Sequence, residues 1–291
     1  MQSALDPAGP VAALIAEMTW VLLAGGAMIF AGVMALGAFA VFFRKREKLS
    51  SRVLIIGGGI AFPVVVLSAL LVYSLVRMST LEAAGEPALR IEVTGEQWWW
   101  RVRYAEFETA NEIRIPVGQP VELELKSADV IHSFWVPALA GKLDMIPGRT
   151  NRLRVQADRP GEFRGQCAEY CGGPHAFMAL FVVALPPAEY EQWTQQQKKA
   201  VEEPAPALFV SHCGACHTVR GTPAAGVRGP DLTHVGSRRT IGAALLPMNR
   251  GALAGWIASS QHLKPGNLMP SFGMLPGEEL NALAAYLEGL D

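Results

Sequence analysis

The sequence predicts a multidomain membrane protein: a two-helix transmembrane hairpin, then an antiparallel β-sandwich, then a small all-α domain. Three observations predict it. Two long charge-free apolar runs lie near the N-terminus, short alternating segments fill the middle, and a Cys-Gly-Ala-Cys-His pentapeptide at 213–217 opens a C-terminal stretch of helical periodicity. The 291 residues leave room for about two domains of roughly 100–200 residues each. An apolar fraction of 51% and a mean hydropathy of +0.23 fit a membrane anchor. A formal net charge of −1 excludes nucleic-acid binding, which needs a strong excess of Lys and Arg.

Residues 19–43 and 53–76 are the two uncharged runs. Spanning a hydrocarbon core takes roughly 20 helical residues, so each run is long enough. The loop at 44–52 between them carries five basic residues against one acid. Short loops rich in Lys and Arg stay in the cytoplasm, which places everything after residue 77 on the outer face. Pro63 is expected to interrupt the second span, and Gly57, Gly58 and Gly59 give it a small-residue face suited to a larger membrane partner. Residues 1–18 show no charged start followed by an apolar stretch and a cleavage site, so no signal peptide is expected there. The divisions expected are an anchor at 1–86, a sandwich at 87–187, a linker at 188–206 and a helical domain at 207–291.

In the middle region, Leu89 to Val93, Glu112 to Ile115, Val121 to Leu125 and Leu153 to Val155 alternate apolar with polar residues, and 178–185 is continuously apolar. Such segments, parted by Gly, Pro, Asn and Asp, predict a sandwich. Between Gly161-Glu-Phe-Arg-Gly and the last apolar strand lies Cys167-Ala-Glu-Tyr-Cys171-Gly-Gly-Pro-His175-Ala-Phe-Met178. Two thiols in an exported protein could pair as a disulfide. An imidazole and a thioether in the same loop make a soft-ligand set that suits copper. His132, in an apolar strand end, is either an ordinary hydrogen-bonded core histidine or the second imidazole of that set. The Trp98-Trp99-Trp100 run alternates sides if it is a strand, so at least one ring faces outward; core packing of all three is the alternative.

Pro186-Pro187 closes the sandwich, and the polar linker reads as a short helix and a hinge that keeps the next domain near. Cys213, Cys216 and His217 form a c-type haem attachment motif, with two thioether bonds and a proximal iron ligand. A zinc site would need two further Cys or His downstream at matching spacing, and no such pair exists. All four cysteines fall in these two motifs. Residues 278–287 have apolar positions at helical spacing and acids in the first turn, which predicts a closing amphipathic helix. His212, His234 and His262 are expected to be solvated or structural. Six basic and five acidic side chains from 204 onward give little electrostatic steering of a redox donor.

Four segments, Gly95-Glu-Gln-Trp-Trp-Trp, Asp129-Val-Ile-His-Ser-Phe, Ile146-Pro-Gly-Arg and the 167–178 loop, resemble subunit II of haem–copper cytochrome c oxidases. Their order and spacing match over about residues 18–186. The resemblance implies a cupredoxin-like domain holding a binuclear copper centre (CuA). His132, Cys167, Cys171, His175 and Met178 are then side-chain ligands, and Glu169 is a ligand through its backbone carbonyl. The Glu169 carboxylate would also reach magnesium at the interface with subunit I, where a hard oxygen ligand suits that ion. Trp98 would be where electrons enter the domain, although Trp99 stands where the family has tyrosine.

The last domain resembles class I cytochromes c. On that resemblance Met269, in Lys264-Pro-Gly-Asn-Leu-Met-Pro, is the sixth iron ligand, with Met248 and Met274 as packing residues. Gly229-Pro230-Asp231-Leu232 is similar to the loop whose proline carbonyl accepts a hydrogen bond from the proximal histidine.

Together the pattern resembles subunit II of a caa-type oxidase in a bacterial inner membrane, with both soluble domains on the periplasmic side. The implied partners are subunit I, subunit III and a cytochrome c-type donor. The implied role is electron input to an enzyme whose oxygen chemistry lies in another chain, so no catalytic residue is expected here. Two other readings compete: the input subunit of a CuA-type nitric oxide reductase, and a copper-carrying protein. The second gives no reason for a covalent haem.

Overall fold

The structure is a computed structural model that describes residues 3–42, 50–82 and 89–291. The basic residues at 44–48 on which the expected orientation rests, and the anchor–sandwich boundary expected at 86–87, lie outside the described residues. Two compact units result, Met1–Ala12 with Pro87–Asp291, and Ala13–Glu86.

Helix α1 covers Pro10–Phe42, beginning well before the uncharged run, with proline at its first position, where a missing N–H costs nothing. The second helical segment opens with π-type turns over Val53–Ala61 and continues as α2, Phe62–Glu82. The interruption expected at Pro63 takes this form. Its ring removes a regular intrahelical bond, and the preceding turns widen, as where the Phe62 N–H reaches the Gly57 carbonyl. Both helices are long and apolar enough to cross a membrane. Many of their apolar side chains are exposed, Met28 at 71% and Phe30 at 67% among them.

The sandwich is built from ten strands. They are β1 (Leu89–Glu96), β2 (Trp99–Arg103), β3 (Glu108–Ala110), β4 (Glu112–Pro116), β5 (Val121–Ser127), β6 (His132–Trp135), β7 (Leu143–Met145), β8 (Asn151–Val155), β9 (Gly161–Cys167) and β10 (Ala179–Leu185). One sheet runs β3-β2-β1-β5-β8 and the other β4-β10-β9-β6-β7. Pairing is antiparallel except for β1 with β5 and β4 with β10, which run parallel. The sequence predicts antiparallel pairs throughout; strands that meet through crossovers instead of hairpins escape that reading. Ile91, Val93, Ile113, Ile115, Leu123, Leu125, Phe134 and Leu180 close the core between the sheets. Ahead of α1, Ala8 donates to the Ala138 carbonyl and accepts from Asp158, at 2.7 Å each, so the N-terminal segment is stitched to the sandwich.

Helix α3, Pro187–Lys198, follows. The hinge expected after it is instead pinned. Trp193 stacks edge-on against Tyr104 and Phe107 of the sandwich at 5.3 and 5.4 Å. Beyond it, Arg220 donates to the Gln197 carbonyl at 2.6 Å, and the Val201 N–H donates to the Arg220 carbonyl at 2.9 Å. The C-terminal domain carries α4 (Ala207–His212), α5 (Arg250–Leu263) and α6 (Gly277–Glu288), with a short ladder of β11 (Thr240–Ile241) and β12 (Leu246–Pro247). Its core gathers Phe209, Leu253, Ile257, Leu283 and Leu287.

Candidate metal centres

The 167–178 loop leaves the end of β9 and returns at the start of β10. The Cys167 N–H donates to the Met178 carbonyl at 2.8 Å, closing the loop at its base. His132 enters from the neighbouring strand β6, where Phe134 is paired with Cys167. Inside, the sulfurs of Cys167 and Cys171 lie 3.8 Å apart, far from the ~2.05 Å of a disulfide. His132 Nδ1 is 3.8 Å from the Cys167 sulfur, and His175 Nδ1 is 3.4 Å from that of Cys171. The Met178 sulfur lies 3.8 Å from Cys171, and the Glu169 carbonyl oxygen 3.2 Å from Cys167. Every donor named from the sequence for this loop thus converges on the sulfur pair. The Glu169 side chain is exposed.

Electrostatics favour a metal in this nest. The Cys171 thiol beside it lowers the Cys167 pKa, burial opposes that, and His132 assists. The same contact drives Cys171 upward, because a second thiolate would sit against the first. Two adjacent thiolates need cationic charge between them, and the S, N and S(thioether) donor set suits copper. For His132, burial pulls the pKa down, but hydrogen bonds to Cys167 and Asp129 outweigh it and the net direction is upward.

Sequence reasoning missed two residues that shape this site. Asp129 Oδ1 lies 2.8 Å from His132 Nε2, which fixes the ring and turns Nδ1 toward the sulfurs. Its other oxygen accepts from the Gln97 N–H at 2.6 Å. Gly95 lies against the same ring: a Cβ there would stand 2.7 Å from His132 Cδ2. The Asp129-to-His132 spacing in one short turn was the available signal for the first; the second depends on the approach of β1 to β6, which no local pattern reports.

In the C-terminal domain, Cys213, Cys216, His217 and Met269 line one cavity of about 310 Å³. His217 Nδ1 donates to the Pro230 carbonyl at 2.8 Å, which leaves Nε2 as the ring's lone-pair nitrogen. Burial lowers the His217 pKa, which favours the neutral ring that iron ligation needs. Gly229 is needed here, since a Cβ would stand 2.5 Å from His217 Cε1. Met269 is held by its surroundings: its N–H donates to Asn267 Oδ1 at 2.8 Å, and its carbonyl accepts from Ser260 Oγ at 2.9 Å. Met248 packs in the core and Met274 is 77% exposed; neither lines the cavity. Arg238 also lines it, with its Nε buried and unpartnered, so the wall is ready for an anionic substituent. Shape, donors and charge fit a haem. Of the unassigned histidines, His234 is structural, bridging the Asp291 and Lys199 carbonyls at 2.8 and 3.1 Å, whereas His212 and His262 are exposed.

Trp98 lies in the turn between β1 and β2, so the alternation expected of the run holds only for Trp99 and the fully buried Trp100. Its indole N–H donates to the Cys171 carbonyl at 2.9 Å, and the same ring lines the cavity.

Comparison with known proteins agrees with this architecture. Residues 106–185 match the family model described as cytochrome c oxidase subunit II, periplasmic domain, and residues 203–291 match that for cytochrome c. The chain thus carries a domain of the cytochrome c oxidase subunit II family followed by a cytochrome c domain. Cytochrome c oxidase subunit 2 of Alkalihalophilus pseudofirmus is 42% identical over 216 residues, 71% of this chain and 62% of that one. The corresponding protein of Bacillus subtilis is 33% identical over 225 residues, 70% of this chain and 63% of that one. The match thus spans about 62% of the length of these relatives. The periplasmic domain of subunit II from Bradyrhizobium japonicum is 34% identical, covering 39% of this chain and 96% of that one, with a TM-score of 0.38. A domain of the first family implies copper and one of the second implies haem c; both donor sets described above fit.

Proposed function

We propose that this chain is the electron-input subunit of a membrane-bound, proton-translocating cytochrome c oxidase. It would take electrons from a cytochrome c-type donor and deliver them to haem in subunit I, with subunit III as a further partner and oxygen reduced to water outside this chain. The anchor, the sandwich and the C-terminal domain then divide near residues 86, 187 and 206, in a bacterial inner membrane with both soluble domains on the periplasmic side.

Copper and haem, when bound, supply one-electron redox chemistry with no atom exchanged. The chain's own residues hold and insulate the two groups. His132, Cys167, Cys171, His175, Met178 and the Glu169 carbonyl would hold a copper pair. Thioethers from Cys213 and Cys216, with His217 and Met269, would hold the haem. The exposed Glu169 carboxylate would hold magnesium against subunit I, and no residue here acts as acid, base or nucleophile. A protein that hands copper on needs an open, exchangeable site, whereas Cys167, Cys171, Met178 and His132 are 4% exposed or less.

The observation that carries this reading is Trp98, whose ring touches both the haem cavity and the Cys171 carbonyl. Two redox groups separated by one side chain relay electrons; two isolated stores do not require it. Isolating the native complex and measuring oxygen consumption with reduced cytochrome c tests the proposal. Oxygen uptake is expected, and consumption of nitric oxide instead would assign the chain to a nitric oxide reductase.

A further inference from the structure

Lys264 ends helix α5 and opens the loop that carries Met269, yet it is 2% exposed. Its ammonium donates to three backbone carbonyls. Gly242 at 3.0 Å belongs to its own domain, but Trp98 at 2.6 Å and Phe177 at 2.8 Å belong to the sandwich. Both sandwich acceptors border the copper loop: Phe177 precedes Met178, and Trp98 bonds Cys171. Among the described residues no carboxylate pairs with this cation, and burial draws its pKa down to about 7. Removing an ammonium from water is expensive unless its protons are all matched, and three carbonyls match three protons. A surface lysine would serve solubility at no such cost.

The surrounding contacts focus on the same point. The Trp98 ring lies between two glycines, one from each domain. A Cβ on Gly172 would stand 2.9 Å from it, and one on Gly266 would stand 3.4 Å away. Both glycines have positive φ, 116° and 84°, so the close approach and the turn require the same residue type. Beside them the Ala179 N–H donates to the Ala243 carbonyl at 3.2 Å, a main-chain bond across the junction. At the rim, Arg114 donates to the Ser237 carbonyl at 2.9 Å, and Glu112 accepts from the Arg239 N–H at 3.0 Å.

We propose that Lys264 is a positioning residue that latches the cytochrome c domain onto the copper domain, seating the Met269 loop against Trp98 so that one indole forms the shared wall of both centres. The proposal rests on the functional reading above for its purpose, but not for its geometry. What it positions is the passage of one electron from reduced haem iron to the oxidised copper pair, with no proton or atom moved.

The test uses the full chain carrying both groups. In the wild-type protein Lys264 should resist an amine-reactive label that modifies the exposed Lys199 readily; equal labelling of the two would overturn the latch. In Lys264→Met, the visible spectra of both centres should persist, exchange of the Ala179 amide should accelerate at least tenfold, and haem-to-copper transfer after flash reduction should slow at least tenfold. Lys264→Arg, which keeps the charge but replaces the compact ammonium by a planar fork, should restore neither rate fully. Unchanged exchange and transfer in Lys264→Met would overturn the proposal. Should the wild-type chain bind no copper or haem, the functional reading fails, while labelling and exchange still decide the latch.

Discussion

Asp129 does for His132 what the Pro230 carbonyl does for His217: each takes one ring nitrogen and so dictates which other nitrogen is available, at 2.8 Å in both cases. Partners of this kind are worth about 10–100-fold in metal affinity. Asp129→Asn is therefore expected to weaken copper binding by about that factor, read by competition against a copper chelator, with the haem spectrum unchanged. Gly95→Ala forces a methyl to within 2.7 Å of the His132 ring. Overpacking of this kind costs about 1–3 kcal/mol, and the loss should appear as a lower denaturant midpoint. Replacing Met269 should lower the haem potential, since thioether ligation raises it, whereas replacing the exposed Met274 should not. Most of the candidate ligands were legible in the sequence because they sit within one loop or one pentapeptide, whereas His132 and Met269 lie outside both and were named with the help of the family resemblance. Asp129's second contact, Gly95 and Lys264 were not, because each acts on a residue brought near by the sandwich or by docking.

Among the elements, the strands with period-two alternation were readable, and their parallel pairings were not, since pairing partner is a tertiary property. The segment at 188–206 shows a different failure. Its polar composition predicts a helix and a hinge, and the helix exists as α3. A single tryptophan among polar residues gave little sign that Trp193 would fill the space over Tyr104 and Phe107, with Arg114 over its ring at 5.1 Å. Trp193→Ala should cost about 2–4 kcal/mol, somewhat below a fully buried site because the ring is only partly covered. Urea unfolding followed by the signal of the sandwich would measure it, and limited proteolysis should find new cleavage between α3 and α4. In the anchor, the wide turns of Val53–Ala61 put the response to Pro63 ahead of the proline, where the displaced carbonyls lie.

For the whole molecule, docking of the C-terminal domain brings the sandwich loop, Trp98 and the Met269 loop, and with them both candidate redox sites, to one junction. Insulation from solvent is part of this design: the candidate copper ligands His132 and Met178 are 0% and 1% exposed. The account stands or falls on the paired sulfurs of Cys167 and Cys171, 3.8 Å apart and free. Chelation of copper from the intact chain should expose two thiols to a thiol reagent, and restoring copper should protect both. The most direct measurement is electron paramagnetic resonance of the copper-loaded chain with its copper content determined in parallel. The account predicts two coppers per chain and a mixed-valence signal from one unpaired electron shared equally between them. A single-copper spectrum at one copper per chain, or a chain that binds none because Cys167 and Cys171 have joined as a disulfide, would contradict it.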